Sequence, residues 1–248
     1  MQPIWSISLH AMQNDGNQVD RIASNMANAT TPGYRREIAV QRPFAEVTNQ
    51  MLTATQLVAA RDLPPAADTM NLGRDQRPGT LRSTGRPMDV ALTGPGYFEI
   101  LTPDGPAFSR QGQFAVDERG RLVTETGLHP VSGMDGEIQL SPGSVVIDAN
   151  GRLLQDGRTV GQLKVIAADA GVAAQSIGQG LYLLDAPARP LSPDQIQLKQ
   201  GFVENSNVDT AHEMVQLMKH MRHFESMYRM AQAYDDMLGT AVRKLGDL

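Results

Sequence analysis

The 248-residue chain contains no cysteine, which removes disulfides, thiolate metal sites and thiol nucleophiles from consideration. Aromatic residues are scarce at 5%, with a single Trp, so the expected core is aliphatic rather than ring-packed. A basic excess is missing as well. Lys and Arg number 22 against 27 Asp and Glu, a net charge of −5, which argues against nucleic acid as a partner. No segment reaches the ~18 consecutive apolar residues of a membrane span, so direct membrane insertion is not expected. Met1 to Ala11 holds no Lys or Arg and no apolar stretch of secretory length, so no cleaved signal peptide is expected. Taken alone this leaves the protein in the cytosol; a leaderless export route would leave the same sequence.

Catalytic signatures are also thin. His212-Glu213-Met214-Val215-Gln216 falls short of the zinc-protease pattern because Gln stands where the second ligand belongs. His220 and His223 are three apart on one helical face, but no carboxylate stands nearby in sequence to complete a metal site. Gly94-Pro95-Gly96 lacks the third Gly and the following helix of a dinucleotide loop. Neither a nucleophile elbow nor a phosphate-binding loop is present. No enzyme activity, catalytic residue, cofactor or metal is therefore expected.

Helical periodicity dominates both ends. In the C-terminal part apolar positions step by three and four through Met214, Leu217, Met221, Phe224, Tyr228, Ala231, Leu238, Val242 and Leu245, with Asp235 the one break. This heptad predicts a long helix with a narrow stripe suited to another helix, and it fits an ordinary surface helix as well. At about 1.5 Å per residue the stripe runs ~48 Å, long for the cap of one small domain. Asn207 and Asp209 are good cap residues, and Thr210 with Glu213 reads as a capping box. The six methionines of this stretch either fill a core or suit a surface that packs against several non-identical neighbours.

A second stripe lies at the other end: Trp5, Leu9, Met12, Gly16, Val19, Ala23 and Met26, flanked by Ile22. Asn14, Asp15 and Gly16 are weak helix formers, so this helix is expected to depend on a partner. It stops in Ser24-Asn25-Met26-Ala27-Asn28-Ala29-Thr30-Thr31-Pro32-Gly33-Tyr34, where Asn and Thr side chains are suited to bond freed backbone groups. Arg35, Arg36 and Arg42 form a small basic cluster, expected to be a solvated face. Pro64-Pro65 and Pro78-Gly79 mark loops in an arm or linker.

From Gly85 the period changes to two. Val90–Leu92, Tyr97–Leu101, Val160–Ala167 and Leu181–Leu184 read as strands. Turns are signalled at Pro103-Asp104-Gly105, Arg119-Gly120, Asp135-Gly136, Asn150-Gly151 and Asp156-Gly157.

Asn25-Met26-Ala27-Asn28 followed by Thr31-Pro32-Gly33-Tyr34 resembles the N-terminal signature of bacterial flagellar rod and hook proteins, and Gly201 to Val208 resembles its C-terminal counterpart. Gly85 to Ala91, Gly94 to Phe98, Thr102 to Gly105, Phe108 to Phe114 and Leu122 to Thr124 look like the family's middle block. The short arm and the wording of Gly85–Ala91 are most similar to the proximal-rod type, with the distal rod next.

The expected fold is α+β, with the N- and C-terminal helices paired as a coiled-coil-like bundle around an inserted β-rich domain of short strands. Boundaries fall at 1–34, 35–80, 81–204 and 205–248. The resemblance implies a structural rod subunit exported by the flagellar apparatus into the periplasmic part of the basal body. Its partners would be copies of itself, other rod subunits and the export apparatus. The candidate assembly residues are Trp5, Leu9, Met12, Val19, Ile22, Asn25, Met26, Asn28, Gly33, Tyr34, Asn207, Val208, Met214, Leu217, Met221, Phe224, Tyr228, Leu238, Val242 and Leu245. The competing expectation is a soluble adaptor or chaperone that binds partner helices. Both ends are expected to be largely disordered in the free monomer and to order on polymerisation.

Overall fold

The computed structural model describes residues 3–40, 71–167, 174–184 and 189–246. The architecture is α+β, with a helix at each end of the chain and a strand-rich middle. It divides into two compact units: Met1–Thr30 with Val208–Leu248, and Thr31–Asn207.

In the helical unit the N-terminal helix, Pro3–Ala27, begins at a proline, whose missing N–H costs nothing in a first turn. It runs unbroken through Asn14, Asp15 and Gly16. Its end is closed as the polar run suggests: Asn28 donates from Nδ2 to the Ser24 carbonyl at 2.9 Å. The C-terminal helix spans Thr210–Gly246. Asp209 caps it, its Oδ1 accepting from the N–H groups of Ala211 at 3.0 Å and His212 at 3.2 Å. The cap thus lies one residue earlier than the expected Thr210–Glu213 box, and Glu213 sits too deep in the first turn to reach back. It is fully buried instead. The helices run antiparallel, since Asn25 faces Glu213 while Asp15 faces His220 and His223. With 37 residues against 25, the C-terminal helix is longer by about 18 Å at ~1.5 Å per residue.

The middle unit is built on a six-stranded antiparallel sheet. Its order is Ala174–Gly178, Leu181–Leu184, Gly105–Ser109, Tyr97–Thr102, Val165–Ala167 and Arg189–Pro190. The hairpin at its centre turns at Pro103-Asp104, with Thr102 opposite Gly105. Alternation along Tyr97–Ile100 sends side chains to opposite faces. Phe98 and Ile100 join the main core with Phe114, Leu122, Leu153 and Leu163. Tyr97 meets Phe108, Ile166 and Tyr182 in a second cluster. Five aromatic residues stand in these cores: Phe98, Phe114, Tyr97, Phe108 and Tyr182. Phe98 and Phe114 meet edge-on with centroids 5.2 Å apart, and Tyr97 and Tyr182 at 6.0 Å. The aliphatic expectation therefore holds for most of the main cluster but not for its sheet-facing centre.

The strand expected over Val160–Ala167 is two strands. Arg158–Gln162 belongs to a three-stranded sheet with Val146–Ile147 and Arg152–Gln155, whereas Val165–Ala167 joins the large sheet. Between them Leu163 donates to the Gly151 carbonyl and Lys164 to that of Ser132, so the chain changes partners in mid-run. Apolar periodicity cannot register such a change, because it reports burial and not which strand is the partner.

Chain entry and exit lie side by side in this unit. Leu81–Ser83 pairs with Phe202–Glu204, and Val90–Leu92 with Leu198–Gln200. Glu37–Val40 pairs with Asn71–Arg74. The expected arm over 35–80 falls mostly on residues 41–70, which lie outside the described residues, as do Arg42 and Pro64-Pro65.

Candidate assembly interface

Each terminal helix carries two different stripes. On the N-terminal helix the buried line is Ser8, Asp15, Gln18, Ile22 and Asn25, polar but for Ile22. The apolar line expected from the heptad is displaced by about one residue, or ~100° around the helix. Leu9 on it is 50% exposed, while Met12, Val19 and Met26 are half-buried. The C-terminal helix repeats the arrangement. Glu213 is buried and Gln216, His220, Met227 and Tyr234 are partly so, whereas Met214, Met221, Phe224 and Tyr228 are exposed. Leu217 and Ala231 are partly buried. The side chains of Trp5, Leu238, Val242 and Leu245 lie outside the described residues.

What turns the helices this way is polar chemistry. Asp15 is 4% exposed, and its two carboxylate oxygens meet Nδ1 of His220 at 3.0 Å and Nδ1 of His223 at 2.5 Å. An ionised carboxylate only accepts, so both Nδ1 atoms carry hydrogen. Burial alone would raise the Asp15 pKa; the two histidine hydrogen bonds outweigh it and hold the carboxyl below its ordinary value. Ten residues along, Asn25 Nδ2 donates to Glu213 Oε2 at 3.5 Å. Among the described residues no group of three or more His, Asp or Glu is arranged to hold a metal ion. The carboxylate that the histidine pair lacks locally is supplied from the other helix, where sequence spacing cannot reveal it.

Where the chain enters and leaves the middle unit, the signature residues converge. Gly33 adopts φ +68° and donates to the Glu204 carbonyl at 2.7 Å. A Cβ on Gly33 would lie 2.6 Å from the Arg110 backbone, so glycine is required twice over. Asn207 accepts at Oδ1 from the Arg36 N–H at 2.7 Å and donates from Nδ2 to the carbonyls of Asp75 and Arg77. Tyr34 is buried, with the Arg74 guanidinium 5.6 Å from its ring centre. The same guanidinium lies 4.5 Å above Tyr182, whose phenol burial pushes up to about 12.

At the centre of this crossing Glu204 bridges two guanidiniums, Arg35 Nη2 to Oε1 at 2.8 Å and Arg110 Nε to Oε2 at 2.7 Å. All three side chains are at most 5% exposed. Arg110 also donates to the carbonyls of Leu92, Gly94 and Gly96. Burial lowers the Arg35 pKa and the Glu204 carboxylate acts against that shift. Arg35 is thus an internal cation rather than part of a solvated basic face. A charge run gives no hint of this; the signal available was that Arg110 and Glu204 each fall inside a family-like motif and that Arg35 directly follows one.

These features define an α+β protein whose distinguishing surfaces are exposed apolar stripes on two terminal helices. Two family models match: "Flagellar hook protein FlgE/F/G D1 domain" over residues 91–200 and "Flagellar basal body rod FlgEFG protein C-terminal" over residues 199–244. The chain is 32% identical over 241 residues to the flagellar basal-body rod protein FlgF of Salmonella typhimurium, covering 91% of each. It is 30% identical over 250 residues to FlgF of Mesorhizobium japonicum, covering 99% of each. With the flagellar basal-body rod protein FlgG of Bacillus subtilis it shares 29% over 257 residues, 93% of this chain and 94% of that one. The chain belongs to the flagellar basal-body rod protein family.

Proposed function

We propose that this protein is a structural subunit of the flagellar basal-body rod, joined to its neighbours through the apolar stripes of its terminal helices. The observation that carries this reading is the exposure of Leu9, Met214, Met221, Phe224 and Tyr228 on helices that hydrogen-bond to each other through Asp15, Asn25, Glu213, His220 and His223. Such a stripe is a coiled-coil-like seam awaiting helices of other chains. Contacts of this kind that do not close on themselves generate a helical polymer, and torque then passes through many helix contacts without any catalytic residue. The four-part division of the chain at 34, 80 and 204 belongs to the same reading.

Within the rod, the proximal segment is the reading favoured by the short stretch before Gly85 and by the wording of Gly85–Ala91. Export through the flagellar apparatus without a cleaved leader completes it. Replacing Phe224 with Asp is the test. A charge buried in a seam without a basic partner is costly, so the variant should be non-motile and absent from basal bodies while its middle unit stays folded. Wild-type motility would overturn the reading. Binding of isolated helices by a chain absent from the basal body would instead establish the adaptor.

A further inference from the structure

The two helices are held to each other by chemistry that titrates. Asp15 sits near the middle of the N-terminal helix on a mostly polar, buried line, between two imidazoles of the C-terminal helix. His220 is partly buried and His223 half exposed, so water and protons reach both rings while the carboxylate stays enclosed. Other charged groups stand on the same stretches. On the N-terminal helix, Arg21 is bonded to Gln18 at 2.7 Å, and His10 and Asp20 are exposed. On the C-terminal helix, Glu213 is buried against Asn25, and His212, Lys219, Arg222 and Glu225 are exposed.

We propose that the Asp15–His220–His223 contact is a proton-operated latch that sets how firmly the N-terminal helix is held against the C-terminal helix of the same chain. With neutral rings, the contact is a pair of hydrogen bonds to an ionised carboxylate. When the rings are protonated, each gains the attraction between an imidazolium and an enclosed carboxylate. Among the described residues Ile22 is the one apolar side chain on the buried line, so apolar packing there masks little of the change. Protonation of the rings therefore tightens the latch, and their deprotonation loosens it. Pairing within one chain fixes the rotation of both helices. The latch therefore determines how readily those helices re-pack against other chains.

Hydrogen exchange on the full-length dilute protein between pH 5.5 and 8 tests this. The quantity read is protection of amides from Leu9 to Ala23, corrected for the intrinsic pH dependence and normalised to Tyr97–Leu101 in the same sample. In the wild type it should fall about tenfold as pH rises, as two ion pairs revert to hydrogen bonds from neutral donors. In Asp15→Asn it should be flat, and in His223→Gln the fall should shrink to about threefold. Constant protection in the wild type would overturn the latch, as would no protection at any pH, or a pH dependence that survives in Asp15→Asn. The normalising strands report separately whether each variant has kept its middle unit.

Discussion

At the scale of single residues, two carboxylates hold most of the polar architecture. Glu204 is the sole anion between Arg35 and Arg110 in the salt-bridge cluster, and removing one partner of a buried charge set leaves the others uncompensated. Glu204→Gln should destabilise the middle unit by about 3–5 kcal/mol, measured by chemical denaturation of the purified chain. A loss below about 1 kcal/mol would mean that water relieves the arginines. Asp15 makes a prediction at the acid end. Its folded pKa lies below the ordinary 3.8, so its contribution is fully present above that value. The contribution is lost as pH falls through the lower, folded value. Helix-pair protection should therefore drop again on acidification below pH 3.8, and Asp15→Asn should remove that acid limb. Protection that is maintained through this range would show that the carboxylate contributes nothing to pairing.

At the scale of elements, the N-terminal helix is weak by composition but continuous in the structure. Gly16 stands within it, and a Cβ there would meet nothing within 4 Å. Gly16→Ala should accordingly stabilise the helix by about 0.5–1 kcal/mol, seen as slower exchange of amides around it. Destabilisation would indicate that the position is packed in the free chain. On the C-terminal helix, Phe224 is 39% exposed and Tyr228 50%, so Asp at Phe224 should leave the monomer's own stability within about 0.5 kcal/mol of wild type. A defect confined to assembly, with unchanged monomer unfolding, is the pattern expected of a side chain reserved for another chain.

At the scale of the whole molecule, the two units differ in what stabilises them. The middle unit has a contiguous core from Val90 to Leu198. Among its described residues the helical unit has polar contacts, one fully buried aliphatic side chain and a C-terminal helix that outruns its partner. Burial on that scale offsets little of the ~1–2 kcal/mol per residue that backbone ordering costs. In dilute solution, amides from Val215 to Met237 should exchange faster than those from Val90 to Leu101, fastest toward Met237, and should become protected on polymerisation. Equal protection in the monomer would mean that the helix pair is stable by itself, and the expectation of ends that order on assembly would fail.

The sequence by itself determined the elements. Heptad stepping located both helices, Asn28 and Asp209 marked their ends, and period-two alternation with Gly-containing turns located strands such as Val90–Leu92 and Leu181–Leu184. These are local effects, written within a few residues of where they act. The tertiary structure decided which faces meet. Asp15 and His223 are 208 positions apart, and the carboxylate that binds Arg35 also binds Arg110, 94 residues away. Hydrophobic periodicity expects the apolar stripes of the two helices to zip together. Enclosing a carboxylate requires its hydrogen-bond partners, and that requirement turned each helix about one residue away from its apolar stripe.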